Sequence, residues 1–246
     1  MNPSLPRLIP LLSLIAGALS LQAAPPTTTV PLNTLQLNGT AVLDSHGHIN
    51  FTTTPNQAGS AFIPTPYTFG PNDEFGVFFV YQANPSTTSP PADGLAFIVQ
   101  NIGSPAYLGL GGSGMGFFTE TTVPAIGVTF DYFQNGVTGT PPGTLAIAQP
   151  QGVELAQTIP SLPVFGGGGT AGLRYVWVAY SNATNLMEVF YSNTSTRPAT
   201  PTLELTLPQD ISSLCGGQIY LGFSGGTGSL DSIQSVGFLA VVVVNN

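Results

Sequence analysis

The chain has 246 residues, of which 42% are hydrophobic and only 6% are charged, and its formal net charge is −8. Its Lys and Arg residues are Arg7, Arg174 and Arg197 alone, so the surface lacks the clustered cations that bind nucleic acid or anionic lipid by counterion release. Neither partner is expected, and an uncharged partner such as a sugar is favoured. The length suits a single large β domain with a sizeable core.

Residues 1–24 have the features of a secretory signal peptide. Arg7 is followed by an apolar run over residues 8–21 and then by small residues. This run is too short to span a bilayer comfortably, so we expect a secreted, extracellular protein without membrane insertion. Residues 25–31 are predicted to form an extended lead-in, and residues 32–246 a single domain.

Short β-strands are predicted over most of this domain. In residues 35–43 the apolar and small residues alternate with polar ones, which is typical of one strand with a single buried face. Proline or glycine interrupts most windows longer than ten residues, so no helix is predicted. The further predicted strands cover residues 49–53, 61–63, 75–83, 95–99, 126–131, 145–148, 173–180, 186–191, 203–207, 218–223 and 236–244.

Residues that often carry chemistry have a structural interpretation in this chain. The single cysteine, Cys215, excludes an intrachain disulfide and is predicted to be a small buried residue beside the strand at 218–223. Trp177 alternates with its neighbours in a strand pattern and is predicted to lie in or at the edge of the core. His46 and His48 lie in a predicted turn, where a metal site is not expected.

Three motifs occur in order in the middle of the chain. They are Ala92-Asp93-Gly94, the glycine-rich stretch 109–116, and Phe130-Asp131-Tyr132-Phe133-Gln134-Asn135. Residues 220–228 add the later motif YLGFSGGTG. This ordered set resembles the L-type, or legume-type, lectins, and the resemblance covers nearly all of the chain after the signal peptide. It implies an all-β fold, a concanavalin-like jelly-roll sandwich of two antiparallel sheets.

A shallow carbohydrate site at one end of the sandwich is also implied by the resemblance. Glycan recognition uses a carboxylate acceptor, a backbone N–H, an amide side chain and an aromatic face. By resemblance, Asp93 is the acceptor and follows a cis peptide bond after Ala92. The carbohydrate-binding residues predicted in this way are Asp93, Gly111, Gly112, Phe133, Asn135, Gly226 and Thr227.

The resemblance further implies a calcium loop, which the bound ion orders in the family. Its retained ligands are Asp131, the carbonyl of Phe133 and Asn135. Calcium takes six to eight oxygen ligands and gains affinity from carboxylates, so with one carboxylate calcium is expected to be bound weakly or not at all. No transition metal is expected either, because three ligand positions of the family carry other residues. These positions are Thr129, Thr140 and Leu145.

Two alternative functions stay open beside a lectin that reversibly binds a neutral glycan without catalysis. A glycoside hydrolase of the same fold needs two carboxylates about 5 to 9 Å apart, whereas Glu120, Glu154, Glu188 and Glu204 are isolated in the sequence. The incomplete metal loop supports the other alternative, a non-binding structural lectin-like surface protein. An open sandwich also has sheet edges through which a homo-oligomer could form.

Overall fold

The fold is taken from a computed structural model that describes residues 28–85, 91–133, 143–165 and 172–246. The predicted signal peptide, Asn135, Thr140 and the glycine run at 166–169 therefore lie outside the described residues. The strands of the described part are β1 Thr28–Thr29, β2 Gln36–Gly39, β3 Val42–Leu43, β4 Ile49–Thr52, β5 Ala58–Phe62, β6 Tyr67–Thr68, β7 Glu74–Pro85, β8 Gly94–Gln100, β9 Ala125–Asp131, β10 Thr144–Gln149, β11 Val153–Thr158, β12 Arg174–Ser181, β13 Leu186–Ser192, β14 Leu203–Thr206, β15 Gln218–Gly226 and β16 Ser232–Val244.

Two antiparallel sheets contain these strands. Sheet A has the order β14-β13-β12-β7-β16-β4-β3, with β1 pairing to β16. Sheet B has the order β11-β10-β9-β8-β15-β5-β2, with β6 pairing to β15. The predicted fold class, an all-β jelly-roll sandwich of two antiparallel sheets, is confirmed.

The core between the sheets is built from alternating aromatic and branched side chains. Phe75, Val77 and Phe79 of β7 are fully buried because side chains of a strand alternate between its two faces. The ring of Phe79 lies 4.9 Å from that of Phe223 in sheet B, in an edge-to-face arrangement. Burial of a large apolar side chain of this kind is worth roughly 1.5–3 kcal/mol, so the core is the main source of stability.

A second apolar layer covers the outer face of sheet B. The connection between β8 and β9 folds over this face, where Tyr107, Met115 and Phe117 pack with Phe62 and Ile98. The hydroxyl of Tyr107 donates to the carbonyl of Phe117 at 2.5 Å, which ties the connection to itself. The glycine-rich stretch is therefore pressed against the sheet at the end where β8 begins.

The prediction of one strand over residues 35–43 with a single buried face is wrong. The segment contributes β2 to sheet B and β3 to sheet A. Gly39 has φ +62°, a left-handed conformation that glycine adopts readily, and turns the chain between the two sheets. Consequently Leu37 and Leu43, predicted to be buried, are 36% and 41% exposed.

One α-helix of the described chain, α1 at Ile211–Cys215, was not predicted. The Asp210 side chain caps its first turn by accepting from the Ser213 N–H, and Gly216 ends it in the left-handed conformation. Cys215 is 2% exposed, which confirms the predicted burial, and burial raises the pKa of its thiol to about 12. No helix among the described residues is long and apolar enough to span a membrane.

Two other predictions are refined by the structure. Thr28 and Thr29 pair with β16, so sheet A begins within the segment predicted to be a lead-in. Trp177 is only 8% exposed, but it lies on the outer face of sheet A, where its ring stacks on Phe78 at 4.8 Å. The strands predicted at 173–180 and 186–191 are present as β12 and β13, which pair as an antiparallel hairpin.

Candidate functional site

Asp93 stands immediately before β8, at the end of the sandwich where the predicted site residues meet. The Ala92–Asp93 peptide bond is cis, as predicted. The Asp93 main chain donates to the Gly226 carbonyl at 3.1 Å and accepts from the Tyr132 N–H at 2.8 Å. Its carboxylate accepts from the Gly228 N–H at 2.5 Å. Two separate segments, residues 226–228 and Tyr132, therefore fix the position of Asp93, which is only 4% exposed.

Two buried side chains of β16 donate hydrogen bonds to the Ala92 carbonyl and so support the Ala92–Asp93 peptide bond. The Ser232 hydroxyl donates to the Ala92 carbonyl at 2.9 Å, and the Gln234 amide donates to the same carbonyl at 3.2 Å. The Gln234 amide also donates to the Gly226 carbonyl at 3.0 Å. Both residues have no exposed surface, and they were missed in the sequence. Polar residues within a strand of otherwise apolar residues were the available signal.

Thr227 directly follows β15 and anchors the glycine-rich stretch to the end of that strand. Its carbonyl accepts from the Gly112 N–H at 3.0 Å. Its hydroxyl donates to the Thr54 carbonyl at 2.8 Å and accepts from the Gln57 N–H at 3.0 Å. Thr227 is 1% exposed. Its side chain therefore holds the residue in place, and its carbonyl in turn positions Gly112.

Glycine is required where the segments approach one another most closely. A Cβ on Gly226 would lie 2.9 Å from the Met115 Cα, below ordinary contact distance. A Cβ on Gly228 would lie 3.3 Å from the Asp93 carboxylate and 3.6 Å from the Gly112 Cα. The absence of side chains at Gly112 and Gly228 therefore keeps the surroundings of Asp93 uncrowded.

Asp131 ends β9 opposite Gly94, the residue that follows Asp93. Its carboxylate accepts from the Phe133 N–H at 2.9 Å. Burial raises the pKa of Asp131 to about 7; the Phe133 hydrogen bond lowers it in part, and the negative charges of Asp93 and Glu154 raise it further. Two buried carboxylates at this end are therefore near enough for the charge of one to affect the pKa of the other.

Of the predicted carbohydrate-binding residues, Asp93, Gly112, Gly226 and Thr227 are joined directly by the hydrogen bonds above, and Gly111 and Phe133 are adjacent to bonded residues in the chain. Asn135 lies outside the described residues. Contact of these residues with a sugar stays a prediction. Gly228 and Tyr132, which donate to Asp93, were not among the predicted site residues. Gly228 is nevertheless the last residue of the motif YLGFSGGTG.

The donor set does not fit a calcium ion of ordinary affinity. Within the described ranges, no group of three or more His, Cys, Asp or Glu side chains could hold a metal. Asp131 supplies one carboxylate, one oxygen of which already accepts from Phe133, and the sequence of residues 134–142 contains no Asp or Glu. Calcium requires six to eight oxygens and favours carboxylates. Weak or absent calcium binding stays a prediction.

The sandwich, with loops from both sheets gathered around a fixed carboxylate, is the arrangement expected of the lectin class. Residues 29–238 match the Legume lectin domain, and the chain belongs to that family. Because this is a family of lectins rather than of enzymes, the glycoside hydrolase alternative is set aside.

Solved structures of legume lectins have the same fold. A lectin from Bauhinia forficata in complex with GalNAc is 19% identical, with a TM-score of 0.73 and coverage of 88% of this chain and 97% of that chain. The winged bean acidic lectin complexed with methyl-alpha-D-galactose is 21% identical, with a TM-score of 0.70 and coverage of 86% and 94%. Arcelin-5, a lectin-like defense protein from Phaseolus vulgaris, is 18% identical, with a TM-score of 0.68 and coverage of 87% and 93%.

Proposed function

We propose that the protein reversibly binds a neutral glycan at the Asp93 end of the sandwich, without catalysis. The observation that supports this most directly is the fixed Asp93 carboxylate, held by the Gly228 N–H and surrounded by glycines. The bond from the Gly228 N–H orients the Asp93 carboxylate, and a carboxylate offers about four acceptor directions. Hydroxyl groups of a sugar can therefore donate to it.

Other residues of the site are assigned complementary roles. The Gly112 N–H is bonded to Thr227, whereas the Gly111 N–H has no hydrogen bond among the described residues. Gly111 is therefore the backbone donor that we assign to the glycan. The partly buried ring of Phe133 is the apolar platform, Asn135 is the amide by resemblance, and Gly226 and Thr227 position the others.

Secretion and oligomeric state belong to the same proposal. The signal-like residues 1–24 support export, which N-terminal sequencing of the secreted protein tests. The end strand β3 of sheet A carries Val42 and Leu43, which are 51% and 41% exposed. These apolar side chains support a homo-oligomer joined at a sheet edge, and sedimentation analysis measures whether one forms.

The binding proposal is tested with a glycan array followed by calorimetric titration. N-acetylgalactosamine and methyl-alpha-D-galactose are the first probes, because two structural neighbours are complexed with these sugars. Hydrogen bonds to a charged acceptor contribute about 1.5–3 kcal/mol each, so Asp93→Ala should abolish measurable binding. Asp44→Ala is the control, because Asp44 accepts from His46 and His48 within its own turn. Equal affinity of wild type and Asp93→Ala would refute the assignment.

A second candidate function is a lectin-like protein that binds no glycan. It is favoured by the incomplete calcium donor set described above, and its fold is shared by Arcelin-5, a lectin-like defense protein. A folded wild-type protein that binds neither the two probes nor any glycan of the array would establish this candidate instead.

A further inference from the structure

Arg174, one of three cations in the sequence, is buried close to the proposed site. It is 5% exposed and opens β12. Its guanidinium donates to the carbonyls of Pro163 at 2.9 Å, Leu173 at 3.0 Å and Phe165 at 3.3 Å. A buried charge is costly unless hydrogen bonds satisfy it, so these carbonyls are held by a group that cannot readily move away.

Two tyrosines of sheet A hold the same segment. The hydroxyl of Tyr81 donates to the Val164 carbonyl at 2.6 Å, and the hydroxyl of Tyr191 donates to the Pro163 carbonyl at 2.9 Å. The two hydroxyls lie 3.3 Å apart. The carbonyls of residues 163, 164 and 165 are thus each bonded to a side chain of the set Arg174, Tyr81 and Tyr191, which we name the arginine clamp.

The clamped segment packs against the residue that holds Asp93. The ring of Phe165 lies 6.0 Å from the ring of Tyr132, edge to face. The Tyr132 N–H donates to the Asp93 carbonyl, and Tyr132 stands between Asp131 and Phe133 in the chain. The arginine clamp therefore contacts the site through Phe165 and Tyr132 and supports the position of Asp93.

We infer that the arginine clamp orders the glycan site in the place of a bound metal ion, with Arg174, Tyr81 and Tyr191 as positioning residues. This inference rests on the proposed function. The donors around Asp131 do not fit calcium, whereas the clamp supplies a permanent positive charge and directed donors from within the chain. Glycan affinity should therefore depend on these donors and should not depend on added calcium.

Conservative tyrosine variants test this role without opening a cavity. Tyr191→Phe and Tyr81→Phe each remove one hydroxyl of the clamp. The matched control is Tyr180→Phe, because Tyr180 is also a buried tyrosine of sheet A, with a hydroxyl bonded to Asn182 and to the Ile211 N–H. All three variants should be less thermally stable, but only the clamp variants should bind N-acetylgalactosamine, or the tightest glycan of the array, about three- to tenfold more weakly.

Arg174→Lys adds a variant that keeps the charge but loses the planar fork of donors. This variant should bind the same glycan more than tenfold more weakly than wild type, since lysine cannot reproduce the guanidinium geometry. Titration of wild type in EDTA should give an unchanged Kd. An unaltered Kd in both clamp variants, or a rise in the wild-type Kd of more than tenfold in EDTA, would overturn the inference while the proposed function stood.

Hydrogen exchange tests the clamp without any ligand. The amides of Tyr132 and Gly228, both bonded to Asp93, should exchange faster in Tyr191→Phe and should keep their protection in Tyr180→Phe. Equal protection in the two variants would contradict the role of the clamp. Failure of wild type to bind any glycan would instead overturn the proposed function.

Discussion

The two ends of the sandwich use carboxylates in opposite ways. At the site end, burial raises the pKa of Asp131 to about 7, and the negative charge of Asp93 adds to this rise. At the other end, Asp210 accepts from the Ser212 hydroxyl and the Ser213 N–H, and these bonds lower its pKa to about 2. The twelve residues of β7 separate the ends by about 40 Å.

Asp73 shows the same saturation as Asp210 at the end without the site. Its carboxylate accepts from the Gly70 N–H at 2.7 Å, the Asn245 amide at 2.6 Å and the Asn246 N–H at 2.9 Å. These hydrogen bonds lower the pKa of Asp73, and the bond from Gly70 has the largest effect. The donors around Asp73 and Asp210 come from their own end of the sandwich and serve stability, whereas we assign the Asp93 carboxylate to the hydroxyl groups of a glycan. We therefore expect mutations at the two ends to separate binding from stability.

Gly94→Ala should have the largest effect, because it damages both properties at the site end. The added methyl group would collide with the Met115 sulfur and lie 2.5 Å from the Phe130 carbonyl. Overpacking of this kind costs roughly 1–3 kcal/mol or more, and displacement of Met115 would disturb the glycine-rich stretch. Thermal unfolding and glycan titration measure the two losses. Gly70→Ala is the control, since its Cβ would meet nothing closer than 3.5 Å; equal behaviour of both variants would contradict the packing argument.

Asp73→Ala should reduce stability and leave binding intact. The change leaves the Gly70, Asn245 and Asn246 donors without their acceptor, at a cost of about 1–3 kcal/mol. Urea unfolding gives the change in stability, and titration of the folded variant gives the glycan Kd. A Kd that rises as much as for Asp93→Ala would show that the two ends are not independent.

Asp210→Ala should have a smaller effect, about 1 kcal/mol for loss of the N-cap of α1. The pKa of Asp210 is lowered from 3.8 to about 2, so its contribution is present above about pH 4 and is lost as the pH falls through 2. The stability difference between wild type and variant should therefore shrink across this window. A difference that stays constant from pH 7 to pH 2 would exclude an ionised cap.

The fold and the cis bond before Asp93 could be predicted because their signals are local. The three ordered motifs carried the resemblance that implied the sandwich and the cis Ala92–Asp93 bond, and the short apolar strands agreed with it. The crossing at Gly39 could not be predicted, since the alternation of residues 35–43 is the same whether a strand continues or changes sheets. α1 was missed because five residues are too few for a helical period.

The supporting residues of the site depend on contacts between distant parts of the chain. Ser232 lies 140 positions after the Ala92 carbonyl to which it donates, and Thr227 lies 173 positions after Thr54. A single sequence does not show which strands become neighbours, so Ser232 and Thr227 could not be recognised as partners of these carbonyls. The role of Arg174 depends in the same way on the position of residues 163–165.

Amide chemical-shift mapping during glycan titration tests the central claim most directly. Three N–H groups, each bonded to an aspartate carboxylate, serve as matched reporters: Gly228 for Asp93, Gly70 for Asp73 and Ser213 for Asp210. The account predicts that the Gly228 signal moves with increasing glycan, together with the signal of Tyr132, whereas those of Gly70 and Ser213 stay in place. Movement of the Gly70 or Ser213 signals with an unchanged Gly228 signal would contradict it.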